Sequence, residues 1–211
     1  MGALGDLLSL IIKLAIFAAI GAGFLHLFYV DNLVMPHNGM APTLVYGDRI
    51  LVWRRAQPDM GDIVVCEHPS RPGVDVIGRA VAFAGHTIST DSHGQLFVDE
   101  DHASVEYLGV ARFFDVTRDR MYTMQLSSID YNRKHRHQFF VEDGYGFAVR
   151  PYQVQRGIYL LGDNRTAPYD DSREFGEVDP ARCHGEVFMR LRPARKTTED
   201  DIHHGYLDYV H

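Results

Sequence analysis

The sequence predicts a mostly β protein: one domain of many short strands, with a lobe inserted into it, preceded by one transmembrane helix. Three observations carry this. A single apolar run covers residues 7–30, broken only by Ser9, Lys13 and His26. Short alternating or β-branched stretches follow it, separated by Gly- and Pro-marked turns. The 211 residues are 45% hydrophobic and 23% charged, the ordinary globular range and enough for one anchored domain.

The division expected is an N-terminal segment (1–6), a transmembrane helix (7–30), a β core (31–86 and 157–193), an inserted variable β region (87–156) and a polar tail (194–211). As a helix, residues 7–30 would span roughly 36 Å at about 1.5 Å per residue. That exceeds a bilayer core of about 30 Å. No basic segment precedes the run, and it is too long for a cleaved leader, so it reads as an anchor. Ala15, Ala18, Ala19, Ala22, Gly23 and His26 fall on one face. Small residues four apart let another helix approach closely, and His26 could hydrogen-bond across that contact. The alternative is the ordinary Ala and Gly content of membrane helices.

Residues 49–54 alternate as a strand, and a turn at 59–62 leads to a β run at 63–66. Residues 68–75 carry Pro69, Pro72 and Gly73 and read as a loop. Residues 76–83 form the next strand, and 87–98 a hairpin turning at His93 and Gly94. From 100 to 155 only short β-like pieces stand out, at 121–124 and 138–141. Residues 186–191 make a final strand. The tail from Arg195 to His211 offers Tyr206, Leu207 and Tyr209 as docking anchors.

The net charge of −7 argues against a nucleic-acid partner. The twelve histidines are scattered and the two cysteines lack metal-binding spacing, so no metal or cofactor is expected. Cys66 and Cys183 either pair in an oxidising compartment or remain as buried thiols.

Three blocks resemble type I signal peptidases. The first holds Met40, Ala41, Pro42, Thr43, Leu44, Gly47 and Asp48, like that family's nucleophile loop. The second is 61–65 with 77–81. The third is Gly162, Asp163, Asn164 and Arg165, then Asp171, Ser172, Arg173 and Gly176. The resemblance covers about residues 7–192, weakly between 86 and 156. It implies a signal-peptidase-like antiparallel β fold. It also implies a single-pass protein of the bacterial inner membrane, with its β domain on the periplasmic or outer side.

That family cleaves with a Ser nucleophile and a Lys base, because a Ser hydroxyl needs a base and a Lys serves only when desolvation frees its amine. In this chain the Ser position is Gly39 and the Lys position Gly78. His37 stands where the family often has an oxyanion-assisting Ser. The linker at residues 166–170 is one residue longer than usual and lacks the base-orienting hydroxyl. Arg79 cannot replace the Lys, because a guanidinium stays protonated.

These gaps predict a pseudoenzyme rather than an enzyme. The retained residues Met40, Pro42, Arg79, Asp163, Arg165, Asp171, Ser172 and Arg173 would then serve as scaffold or peptide groove. The expected role is an accessory or scaffold subunit of a membrane protein complex. Its contacts would be other subunits, reached through Ala15, Ala19, Ala22, Gly23 and His26 and through the β domain, together with the lipid bilayer. Two alternatives are a non-cleaving binder of signal peptides or extended segments, along 34–42 with 76–83 as neighbour, and a peptidase with a non-standard site. For the last, His37 is the base and Thr43 or Ser172 the nucleophile.

Overall fold

A computed structural model describes residues 2–91, 94–131, 135–166, 170–194 and 205–210. The first element is helix α1, Gly2–Phe28. Its stretch Gly5–Phe24 is long and apolar enough to cross a membrane and is not buried by the rest of the chain. The helix stops short of residue 30, because the Tyr29 carbonyl accepts from Arg54 N at 2.9 Å and starts a β ladder. Strand β1, Val30–Val34, therefore follows almost at once. Tilted ring contacts join the helix base to the sheet: Phe24 with Tyr29 at 6.2 Å and Tyr29 with Trp53 at 5.6 Å.

The main sheet is antiparallel. It contains β1, β2 (Arg49–Trp53), β3 (Ile63–Glu67), β4 (Asp75–Phe83), β12 (Ile158–Leu161), β13 (Cys183–Arg192) and β14 (Asp208–Tyr209). Its order is β1-β2-β13-β3-β4-β12, with β14 alongside β13. Strand β3 is buried throughout except Glu67, as expected of a central strand covered on both faces. Met35, Met40, Leu44, Ile50, Ile63 and Ile77 share one core cluster, so the loop after β1 is packed onto the sheet.

Between β4 and β12 lie two smaller sheets. One has the order β11-β5-β6-β7, from Thr87–Thr90 (β5), Leu96–Val98 (β6), Asp101–His102 (β7) and Tyr152–Gln153 (β11). The expected 87–98 hairpin is thus β5 and β6; His93 lies outside the described residues. The other runs β10-β9-β8, from Ser104–Asp115 (β8), Arg120–Tyr131 (β9) and His135–Glu142 (β10). Where the sequence offered only short β pieces, β8 and β9 each run 12 residues. The first half of β8 is exposed, so it lacks the one-sided burial that marks a strand in sequence.

Cys66 and Cys183 face each other across β3 and β13 and form a disulfide, which settles the choice between a bridge and free thiols. The tail is tied down differently from the expectation. Tyr206, Leu207 and Tyr209 stay 72%, 65% and 55% exposed, while Val210 enters the core. Residues 195–204 and His211, linker residues 167–169 and the side chain of His26 lie outside the described residues.

Candidate functional site

The site loop joins β1 to β2. Met35 N donates to the Asp48 carbonyl at 2.8 Å and Gly47 N to the Met35 carbonyl at 3.0 Å, closing the loop at its neck. Inside it, Asp48 is fully buried and accepts from Val45 N at 3.0 Å, Ala194 N at 2.7 Å and Arg190 Nε at 3.1 Å. Arg190 also donates to the Thr43 carbonyl and, at 2.9 Å, to Asp208 of β14. The loop thus leans on β13 and on the tail. Met40 is buried in the core cluster, and the buried Pro42 follows a cis peptide bond.

Gly39 is buried, and its carbonyl accepts from Asn164 N at 2.9 Å. The contact explains Gly162, where a Cβ would stand 2.6 Å from the Gly39 oxygen. His37 is half-buried, and its Nδ1 accepts from Gly39 N at 3.0 Å. That bond puts the proton of the neutral ring on Nε2. Burial holds its pKa below the usual histidine value.

Gly78 lies in β4, directly before Arg79, and is buried. A Cβ there would meet Leu160 Cβ at 3.1 Å, so any side chain at 78 requires β12 to yield slightly. Neither glycine carries a side-chain nucleophile or base.

The other predicted residues form two polar knots. In the first, Arg79 donates from Nε and Nη2 to the two Asp163 oxygens, at 2.9 and 2.7 Å, and from Nη1 to the Gly61 carbonyl at 2.6 Å. Thr43 Oγ1 donates to Asp163 Oδ2 at 2.5 Å, and His137 Nε2 stands 3.5 Å from Oδ1. In the second, Asp171 caps the short helix α2, Ser172–Phe175, pairs with Arg173 at 2.7 Å and accepts from Gly162 N at 3.3 Å. Ser172 Oγ accepts from Leu160 N at 2.8 Å. Arg165 is buried, with its guanidinium over Phe139 and Phe147.

Thr43 and Ser172, the alternative nucleophiles, are therefore both engaged in bonds that fasten one element to another. On the membrane helix, Ala15, Ala19, Ala22 and Gly23 are exposed.

Sequence reading gave no role to Asn38 or Asp115, and named Asn164 only as part of the third block. Buried Asn38 donates to Asp115 Oδ1 at 2.7 Å and accepts from Tyr46 N at 2.8 Å, pinning the loop to β8. The two residues are 77 positions apart, and no local pattern links them.

The edge beside this loop is open. Odd residues of β1 bond to β2, as Tyr29 and Met35 do at either end, so Asn32 and Val34 turn their main-chain groups away from it. Among the described residues no strand pairs with that edge. The Val30 carbonyl on the same side is taken by Arg54 at 3.3 Å. Strand β12 pairs with β4 only from Arg79 to Phe83, leaving Asp75–Gly78 paired on the β3 side alone. Leu33 and Met35 from the β1 side pack in the same cluster as Ile77 of β4.

The family model for signal peptidase, peptidase S26, matches residues 8–192. Signal peptidase I of Pseudomonas fluorescens is 28% identical over 157 residues, 65% of this chain and 53% of that protein. Signal peptidase I of Pseudomonas aeruginosa is 27% identical over 170 residues, 71% and 57%. Signal peptidase I of Aquifex aeolicus is 23% identical over 202 residues, 79% and 77%. The chain spans about half the length of the two Pseudomonas relatives. These relatives carry the name of an enzyme, which overturns the expectation drawn from Gly39 and Gly78 that the chain is not one. By the span of the family match, the chain belongs to the signal peptidase family, peptidase S26.

Proposed function

We propose that this chain binds an extended polypeptide segment at the membrane surface, as an added strand on the open edge of β1. The observation that carries the proposal is that edge. Asn32 and Val34 present unpaired main-chain groups between the apolar helix and the site loop. Strand addition draws affinity from main-chain bonds and selectivity from alternate side chains. The half of β4 at Asp75–Gly78 that β12 leaves unpaired gives the segment a second wall, with Leu33, Met35 and Ile77 in one cluster beside it. Helix α1 ends two residues before β1, so a segment held there lies close to the bilayer. The segment class follows from the family: a signal peptide or similar extended stretch. The setting is the periplasmic or outer side of a bacterial inner membrane.

A second reading is a place in a membrane protein complex as an accessory or scaffold subunit, held through α1. It is favoured by the helix standing clear of the β core with Ala15, Ala19, Ala22 and Gly23 exposed on it.

The test of strand addition uses the full chain in mild detergent with a fluorescent signal-peptide segment, followed by anisotropy. Asn32→Pro removes one outward N–H without touching the β2 ladder, as edge prolines do. Losing one main-chain bond should weaken binding by roughly 3- to 10-fold. Equal affinity in Asn32→Pro, Val34→Pro and the wild type would remove the β1 edge from the binding site. Mass spectrometry of the same mixtures reads any hydrolysis. Co-purification that survives the double change Ala19→Leu, Gly23→Leu would refute the contact through α1.

A further inference from the structure

The main sheet has an outer face at its β1, β2 and β13 end. In the strand register, Leu33, Ile50, Val52 and Val187 turn into the core cluster beneath the site loop. The residues between them therefore turn outward, away from that cluster. They make three rows across β2 and β13. Trp53 stands in the first row, opposite Glu186. Leu51 and Met189 form the second, and Arg49 and Arg192 the third. An outward sheet face in water alternates polar residues with the buried ones, but here the middle of the face is apolar.

Two observations identify what lies against it. The first is continuity with the apolar helix. Ring contacts run from Phe24 of α1 through Tyr29 to Trp53, and from Trp53 to Phe188 at 6.3 Å, so the first row begins at the helix base. The Arg55 guanidinium lies 4.6 Å from the centre of the Tyr29 ring. Trp and Tyr rings with a basic residue beside them collect where a bilayer meets water. Arg49 follows Trp53 at the other end of β2, about 13 Å away at roughly 3.3 Å per residue.

The second observation is the arginine row itself. Arg49 and Arg192 are direct partners across β2 and β13, and both are exposed. Like charges opposite one another destabilise a sheet. Among the described residues neither guanidinium has a carboxylate partner, and Glu186 of the same face stands in the first row. An anion between the two would turn the repulsion into attraction, and the guanidinium fork matches the oxygens of a phosphate.

We infer that Arg49 and Arg192 together hold the phosphate of an anionic phospholipid, with Leu51 and Trp53 lying against lipid between that phosphate and the helix base. This face thus rests on the bilayer and gathers negatively charged lipid. The inference goes beyond strand addition, which uses the main-chain edge of β1 rather than the outward side chains of β2 and β13.

Trp53 is the chain's single tryptophan, so its fluorescence reports on this face. The full chain is placed in nanodiscs of phosphatidylcholine with a fixed fraction of phosphatidylglycerol. One lipid or the other carries bromine on its upper acyl chain as a quencher. Brominated phosphatidylglycerol should quench Trp53 more strongly at equal fraction, a preference on the order of tenfold for two arginines at a membrane surface. The preference should fall in Arg49→Gln and in Arg192→Gln and vanish in the double variant. Arg120→Gln with Arg156→Gln removes the same charge from exposed positions on other strands and loops, and should leave it unchanged. Trp53 quenched by neither lipid or equally by both, or a preference that survives in the Arg49 and Arg192 double variant, overturns the inference. So does loss of the preference on adding inorganic phosphate at constant ionic strength, because the pair would then take a free anion rather than a lipid.

Discussion

Arg79 and Asp163 form a two-pronged ion pair with both side chains fully shielded from solvent, linking β4 to the Gly162–Arg165 turn. The other contacts of the pair reach the neighbouring parts of the site. Gly61 holds Arg79 from the β3 side, and Thr43 binds Asp163 from the loop. The pair therefore fixes the distance between the strand carrying Gly78 and the loop carrying Gly39.

Removing one partner leaves a buried charge without compensation. Arg79→Met is expected to destabilise the β domain by about 3–5 kcal/mol. Urea unfolding followed by circular dichroism measures this. A loss below about 1 kcal/mol, the size of an exposed pair, would show that the pair does not hold the site together.

The Cys66–Cys183 bridge closes a loop of 117 residues between β3 and β13. Its removal by Cys66→Ser with Cys183→Ser should cost about 2–5 kcal/mol. Reductant should cause the same loss in the wild type and no further loss in the double variant. Equal unfolding midpoints with and without reductant would contradict this.

The third prediction concerns His37 and pH. Burial lowers its pKa from 6.5, so the fold favours the neutral ring. The stability this provides is fully present above pH 6.5 and is lost as pH falls from there through the folded value. Protonating Nδ1 would also remove the acceptor for Gly39 N. The Gly39 amide should therefore shift and exchange faster below pH 6.5, and His37→Gln should abolish that step. A Gly39 signal that stays constant from pH 7.5 to 5 would refute the coupling.

Much of this fold can be read in the chain, for physical reasons that differ by element. The apolar run, the buried strands β3 and β4, and the alternating strands β2 and β13 stand out because the positions they bury demand β-branched and apolar residues. Arg79, Asp163, Asp171 and Arg173 stood out because they sit in motifs that resemble the family, but that they pair with one another was not read. The long β8–β9 ribbon escaped notice because Ser104 to Leu108 are exposed and carry no alternation. Val210 escaped because a single buried residue in a polar tail has no pattern. Asn38 with Asp115, and Asn164 with Gly39, depend on contacts between distant segments. The identities of residues 39 and 78 were plain, but they were a poor guide to enzyme status beside relatives that are named as enzymes.

Strand addition at β1 is tested most directly by hydrogen exchange of the full chain in detergent, with and without a saturating signal-peptide segment. The account predicts slower exchange at the outward amides of Asn32 and Val34 and along Asp75–Gly78, with β2 unchanged. Saturation by the peptide with no added protection at Asn32 and Val34 would contradict it.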